Sequence, residues 1–168
     1  MAPFRLGHDE YQHELPWRLM QNGPVTKYWR QELFQEDIEQ LQSLGFDIAR
    51  FDCLTWTDEI STRDALVRGL HMPDSTGSNF NALADSLTDI EVPDEGGLVL
   101  ALDNFTEGER NEALLSLFAS ASRYWLLFGR LFFVILRTDD PSYRGPVTLG
   151  AMATNWNGRE WLNSKRGL

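Results

Sequence analysis

Residues 97–137 read GLVLALDNFTEGERNEALLSLFASASRYWLLFGRLFFVILR, and this stretch decides the fold. Residues 98–102 and 131–136 are continuous apolar runs, which are typical of strands that helices cover on both faces. The residues between them place apolar side chains at helical spacing: Leu114, Leu117, Phe118, Ala121, Trp125 and Phe128. A strand, a long helix and a second strand predict a right-handed crossover between two adjacent parallel strands.

The chain before this stretch alternates in the same way. Residues 25–30 predict a short strand, and residues 34–41 predict a helix that ends at Gly45. Residues 49–53 alternate between apolar and polar side chains as a strand does, and residues 58–70 predict a second helix. This order of elements predicts an α/β layered fold, in which helices pack a small, mainly parallel sheet.

The two ends of the chain are less regular. Residues 1–24 contain three prolines and two glycines and predict an extended arm laid over the domain. Residues 139–168 predict a tail with an edge strand near 147–154 and a short helix around Trp161. We expect Trp156 and Trp161 to pin this tail to the core. The length of 168 residues is that of a single domain spanning residues 1–168.

The apolar runs and the cysteine content indicate the cellular location of the protein. The first twenty residues contain no apolar run of the kind that a signal peptide needs, and no run reaches the ~20 residues of a membrane-spanning helix. The single cysteine, Cys53, falls in a predicted strand and has no partner for an internal disulfide. These features predict a cytoplasmic protein without a membrane association.

Acidic residues are concentrated in one segment. The formal net charge is -10, and residues 69–109 contain nine acids and no Lys or Arg. The other residues hold 25 - 9 = 16 acids against 15 bases, a net charge of -1. Such a balance argues against direct binding of nucleic acid, which needs basic patches. It fits either a solvated acidic face that keeps the protein soluble or a surface for a basic partner.

A helix is predicted directly after Gly77. Ser78 can cap it, and Phe80, Leu83, Ala84 and Leu87 then recur at the spacing of one buried face. The opposite stripe carries Ser78, Asn81 and Asp85, which are spaced three and four residues apart. The helix therefore predicts a small polar surface directed away from the core.

Residues 71–90 read HMPDSTGSNFNALADSLTDI and resemble the signature of the barstar family of ribonuclease inhibitors. In that signature a helix ends at a proline, and a short Gly-x-Asn loop leads into a helix of this pattern. The strand at 97–105, the long helix near 107–129 and the strand at 131–137 follow at the family's spacing. The resemblance covers a core of about 47–138. The flanks, an arm with an extra strand and helix at 1–46 and a tail at 139–168, are similar to those of longer bacterial barstar-like proteins.

The resemblance implies a non-enzymatic protein that blocks a basic ribonuclease or nuclease toxin, as an immunity protein does. In the family, the loop and the helix after it plug the nuclease active site, and an acid fills the pocket for the RNA phosphate. That acid is Asp85 in this chain. The implied partner-binding residues are Asp85, Asn81, Asn79, Gly77, Ser78 and Asp74. Gly77 would permit a close approach, and Asn79 would cap the helix or bond the loop backbone.

The chain departs from the family pattern at four positions. Asn81 stands where a second acid is usual, and Ser75 or Thr76 replaces a loop aromatic. Ala84 replaces the tryptophan beside the main acid, and Ser120 maps to an acid on the last helix. These departures motivate an alternative, in which the chain is an interaction or regulatory module of the same fold whose partner is not a nuclease.

No motif predicts a catalytic site or a cofactor. His8 and His13 lie near acids but lack the spacing of a zinc site, and His71 fits the end of a helix. The sequence contains no Gly-x-Ser-x-Gly elbow and no Gly-rich phosphate loop. Acids close together, such as Asp139 with Asp140, have the neighbours of solvated turns. A hydrolytic enzyme is therefore a third possibility, and we expect neither a metal nor a cofactor.

Overall fold

The structure is a computed structural model, and it describes residues 14–73, 76, 77, 79–146, 149 and 153–168. The helices are α1 (Leu15–Met20), α2 (Gln31–Ser43), α3 (Glu59–Gly69), α4 (Phe80–Ser86) and α5 (Glu109–Leu127). The strands are β1 (Val25–Tyr28), β2 (Phe46–Asp52), β3 (Gly97–Asp103), β4 (Phe132–Arg137) and β5 (Asn155–Trp156). Short 3-10 turns lie at Cys53–Thr55 and Asn163–Arg166. None of the helices in these ranges has the length and hydropathy that crossing a bilayer requires.

The five strands form one sheet in the order β2, β3, β4, β1, β5, and every neighbouring pair is parallel. β3 and β4 are adjacent, with Leu98 opposite Phe132 and Leu102 opposite Leu136. α5 connects these two strands, so the predicted parallel crossover is confirmed. The predicted α/β class with a parallel sheet packed by helices is confirmed as well.

Apolar clusters cover both faces of the sheet. Leu100 and Val134 belong to the larger cluster, together with buried side chains of α3, α4 and α5. Val99 and Ile135 belong to the smaller one, together with buried side chains of α1 and α2. Because consecutive residues of β3 and β4 face opposite sides and both sides are buried, these strands are apolar from Leu98 to Leu102 and from Phe132 to Leu136.

The ends of α2 and α3 lie where the sequence predicts them. Gly45 directly follows the C-cap of α2 and has a φ of +86°, a left-handed conformation that favours glycine. Asp58 precedes α3, and its carboxylate accepts a hydrogen bond of 2.7 Å from the backbone N–H of Ser61. That backbone bond, with one from the Ser61 hydroxyl, lowers the pKa of Asp58.

The prediction of an extended N-terminal arm is wrong for the part of the arm that the structure describes. Residues 15–20 form α1, in which Leu15 and Leu19 are buried against the smaller cluster. Pro16 lies in the first turn, where its fixed φ favours a helix start, and the two leucines are one turn apart. Residues 1–13, with His8 and His13, lie outside the described residues.

Cys53 is not in a strand. β2 ends at Asp52, whose side chain accepts a hydrogen bond from the backbone N–H of Leu54 and so starts the 3-10 turn that contains Cys53. The thiol is buried and free. Burial, with the negative charges of Asp52 and Asp103, raises its pKa well above the ordinary value. Cys53 is therefore a small core residue with an inert thiol.

The C-terminal tail differs from the prediction in two respects. The predicted edge strand near 147–154 falls on a range of which only Leu149, Ala153 and Thr154 are described, and β5 follows it at Asn155–Trp156. The predicted helix around Trp161 is instead the 3-10 turn at Asn163–Arg166. Trp161 is 60% exposed and does not pin the tail to the core.

The side chain that anchors the tail is a buried carboxylate and not Trp161. Glu160 is fully buried, and its carboxylate accepts hydrogen bonds of 3.0 and 2.9 Å from the backbone N–H groups of Trp29 and Arg30. These two groups immediately precede α2, so the tail caps that helix from outside it. The division of the chain into a core at 47–138 and two flanks stays a prediction.

Candidate partner-binding site

α4 begins with a side-chain cap. The Oδ1 atom of Asn79 accepts a hydrogen bond of 2.8 Å from the backbone N–H of Ala82, so Asn79 is the N-cap residue. Asn79 therefore takes one of the two roles expected of it, and the expected cap at Ser78 is one position too early. Ser78 and Asp74 themselves lie outside the described residues.

The two faces of α4 divide as the sequence predicts. Leu83 and Leu87 are 3% and 0% exposed and pack into the larger cluster. Asn81 and Asp85 are exposed on the opposite stripe, one helical turn apart. The carboxylate of Asp85 makes no hydrogen bond or ion pair with the part of the chain that the structure describes. The site therefore presents a carboxylate and an amide to solvent side by side.

The C-terminal end of α4 is fixed by the long helix. The Nε1 atom of Trp125, in α5, donates a hydrogen bond of 3.1 Å to the backbone carbonyl of Leu87. The Thr88 hydroxyl donates one of 2.6 Å to the carbonyl of Asp85. Helices this short are unstable alone, so these contacts and the buried leucines hold α4 in one position.

The loop before α4 is tied to both neighbouring helices. The backbone N–H of Thr76 donates to the carbonyl of Pro73 at 2.9 Å, and its hydroxyl lies 3.1 Å from that of Ser86 at the far end of α4. Arg63, in α3, donates from Nε to the Thr76 carbonyl at 3.0 Å. Thr76 is buried, so the loop is anchored at this point.

Gly77 allows the loop to pass close to α4. A Cβ atom at this position would lie 2.7 Å from Cβ of Ala82, closer than two carbon atoms approach without strain. Glycine is therefore required here for space. The role of Gly77 in contacting a partner stays a prediction.

Other positions at which the chain departs from the family pattern also lack a charge and an aromatic ring. Ala84 is half-buried in α4. Ser120 is exposed on α5, where its hydroxyl donates a hydrogen bond of 3.0 Å to the Ser116 carbonyl. Asn81 and Asp85 thus form the exposed polar stripe of α4 without the neighbouring anchors of the family pattern.

Three residues of the site, Arg63, Thr76 and Ser86, have roles that sequence reasoning missed. Arg63 lies in α3 and is separated from Thr76 by thirteen positions, and Thr76 is separated from Ser86 by ten. Such contacts join different elements, so neither helical nor strand periodicity reveals them. These three residues do not form the exposed stripe but hold the elements that present it.

The other acidic pairs have structural roles. Asp140 accepts hydrogen bonds from the hydroxyl and the backbone N–H of Ser142, which lower its pKa, the hydroxyl bond more strongly. Asp139 pairs with Arg137, and Asp94 pairs with Arg130 at 2.7 Å. Among the described residues, no group of three or more His, Cys, Asp or Glu side chains is arranged to hold a metal ion.

A family model described as Barstar (barnase inhibitor) matches residues 46–137, which is more than half of the chain. The match contains β2, α3, α4, β3, α5 and β4, and therefore the whole of the candidate site. No curated protein and no solved structure matches the chain.

Proposed function

The chain belongs to the barstar family, and we propose that it binds and blocks a basic ribonuclease through the surface of α4 around Asp85. Members of this family are inhibitors rather than enzymes. In the proposed complex the loop at Thr76 and Gly77 and the exposed stripe of α4 enter the nuclease active site. The bound chain then excludes RNA from that site.

The observation that carries the proposal is the exposed carboxylate of Asp85, which has no partner among the described residues and lies on a firmly held helix. A ribonuclease gathers Arg, Lys and His side chains around the RNA phosphate. A carboxylate can satisfy the same donors without offering a bond to cleave. Because α4 is fixed at both ends before binding, little conformational entropy is lost on forming the complex.

The charge distribution supports a basic partner. The segment at 69–109, which contains α4, accounts for nearly all of the net charge of -10. A surface of one sign attracts a partner of the opposite sign and accelerates their encounter. The association of barnase with barstar is the standard example of such steering, so for this chain the expectation follows a family precedent.

Asn81 favours a second candidate function. An amide can donate and accept hydrogen bonds but offers no charge to a second cation of a nuclease. Together with Ala84, it leaves the surface with fewer charged and aromatic anchors than interfaces of this kind usually have. In the second candidate, the chain uses the same surface to bind a protein that is not a nuclease.

A titration separates the two candidates. A fixed amount of a small basic bacterial ribonuclease, with a fluorogenic RNA substrate, receives increasing amounts of the chain. The first candidate predicts that RNA cleavage stops at one chain per nuclease. It also predicts association rates that fall as salt rises, because steering fades beyond the Debye length of about 8 Å at physiological ionic strength. Unchanged cleavage by every small basic ribonuclease of the native host would exclude the first candidate and favour the second.

A further inference from the structure

β2 lies at one end of the sheet and has a free edge. It pairs with β3 along its seven residues, from Phe46 opposite Gly97 to Asp52 opposite Asp103. No other strand among the described residues pairs with it. Alternate N–H and C=O groups of β2 therefore point outward without a strand partner in the described part of the chain, which is the arrangement that accepts an added strand.

A groove runs beside the first half of this edge. It has a volume of about 550 Å³, and Asp47 and Ala49 of β2 form one wall. The other walls come from His71, after the end of α3, and from Asp89 and Glu91, after the end of α4. The opposite end of the sheet is different, since β5 is only two residues long. Leu98 of β3, opposite Asp47, also lines the groove, which therefore borders the first half of β2 on one face of the sheet. The groove provides room for side chains beside this half of β2.

The charge of the groove indicates what it accepts. Asp47, Asp89 and Glu91 are exposed, and none makes an ion pair with a described residue. Of the residues that line the groove, only His71 can carry a positive charge. Three unpaired carboxylates favour Lys or Arg side chains in the ligand. They disfavour a second copy of this chain, because a two-fold interface would bring like charges together.

We propose that the free edge of β2 is a second docking site, which receives an extended segment of a protein partner that carries Lys or Arg at alternate positions. Main-chain hydrogen bonds to β2 supply the strand pairing. Basic side chains on one face of the added strand enter the groove and meet Asp47, Asp89 and Glu91. This site differs from the proposed nuclease-binding surface, because it uses neither Asn81 nor Asp85, although Asp89 and Glu91 belong to the same acidic segment.

Three peptides test the proposal on the full chain. The probe is an acetylated nine-residue peptide of alternating Thr and Lys. One control peptide replaces each Lys with Glu, and another keeps the Lys residues but carries N-methyl groups on alternate backbone nitrogens. Amide exchange is measured for residues 46–52. At a probe concentration of ~10 times its dissociation constant, we expect the outward amides of β2 to exchange about tenfold more slowly than without peptide. Neither control peptide should slow this exchange.

Charge-reversal variants complete the test. Asp47→Lys and Glu91→Lys should each weaken binding of the probe by about tenfold at low salt. Glu107→Lys, an exposed acid of the same segment beyond the other end of β3, should leave binding unchanged. Thermal melts show whether the variants fold. The proposal is overturned if the probe does not slow exchange in β2, or if the N-methylated peptide binds equally well. It is also overturned if those amides become protected in a dimer of the chain without peptide.

Discussion

The Nε atom of Arg63 lies 3.0 Å from the backbone carbonyl oxygen of Thr76, so a side chain of α3 holds the loop that leads into the proposed binding helix. A second nitrogen of the same guanidinium also donates to this carbonyl. Two donors on one acceptor restrict the position of the loop more than a single bond does. The position of Gly77 and the start of α4 follow from this contact.

Arg63→Ala should loosen this loop. We expect faster amide exchange at Thr76 and Gly77 and a loss of about 1–3 kcal/mol in the free energy of unfolding, because the buried carbonyl loses its donors. Partner binding should weaken although Arg63 lies outside the exposed stripe of α4. Arg68→Ala, an exposed arginine of the same helix, is the matched control. Equal exchange rates in the two variants would refute the anchoring role.

Gly77→Ala should strain the contact between the loop and α4. The added methyl group would meet Cβ of Ala82 at 2.7 Å, and overpacking of this kind usually costs about 1–3 kcal/mol. Urea denaturation measures this loss. Gly158→Ala is the control, since a Cβ atom there meets nothing within 4 Å. If both variants lose the same free energy of unfolding, the close approach at Gly77 does not matter for stability.

Glu160→Gln should destabilise the protein from its C-terminal tail. The carboxylate is buried and accepts bonds from the backbone N–H groups of Trp29 and Arg30 and, at 2.5 Å, from Asn157. A glutamine side chain has only one oxygen that can accept hydrogen bonds. We therefore expect a loss of about 1.5–3 kcal/mol in the free energy of unfolding, the range for hydrogen bonds to charged groups. Glu39→Gln, on the exposed face of α2, should change the free energy of unfolding by no more than about 0.5 kcal/mol. Equal melting temperatures of the two variants would contradict this role.

Lys27 should give the stability a distinct pH dependence. Its buried amine donates hydrogen bonds of 2.9 Å to the carbonyls of Tyr143 and Arg144 and lies over the Trp156 ring. Burial, with the charge of Arg166, lowers the pKa of Lys27 from 10.5 to about 8. Between these two pH values the unfolded chain binds more protons at this residue than the folded chain does. The contribution of Lys27 to the free energy of unfolding therefore rises with pH across this window.

The comparison with Lys27→Met isolates this effect from other titrating groups. Urea denaturation of both proteins is measured from about two pH units below the lowered pKa to the upper end of the window. The free energy of unfolding of the wild type should increase relative to that of the variant above about pH 8 and stay constant relative to it at lower pH. A difference that is constant throughout, or that falls, would show that the amine titrates normally.

Local periodicity explains what the sequence alone could predict. β3 and β4 are continuous apolar runs, and the buried leucines of α4 recur at helical spacing, so the crossover and the exposed position of Asp85 could both be predicted. α1 is only six residues long and β5 only two, which is too short for a period to show. The roles of Arg63 and Glu160 depend on contacts between different elements, and Glu160 meets backbone groups more than 100 positions away. No local pattern encodes such contacts.

The central claim is that Asp85 is the anchor of a nuclease-binding surface. Truncation of this exposed side chain opens no cavity, so its effect on stability should stay within about ±0.5 kcal/mol. Loss of binding in Asp85→Ala can then be separated from unfolding by thermal melts. Asn81→Ala should cost less affinity than Asp85→Ala. Loss of the neutral amide leaves a neutral hydrogen bond of the partner unmade, whereas loss of the carboxylate leaves a charged group of the partner without its counterion. Asn81→Asp should tighten binding only if the partner offers a second cation there.

The most direct test is a titration of Asp85→Ala against the cognate basic ribonuclease, with Glu95→Ala as an exposed acidic control from the same segment. Removing the carboxylate leaves a cation of the nuclease buried without its partner, which costs roughly 2–5 kcal/mol. We therefore predict that Asp85→Ala binds at least about thirtyfold more weakly than the wild type, while Glu95→Ala binds as the wild type does. Equal inhibition by Asp85→Ala and the wild type would contradict the assignment of this surface.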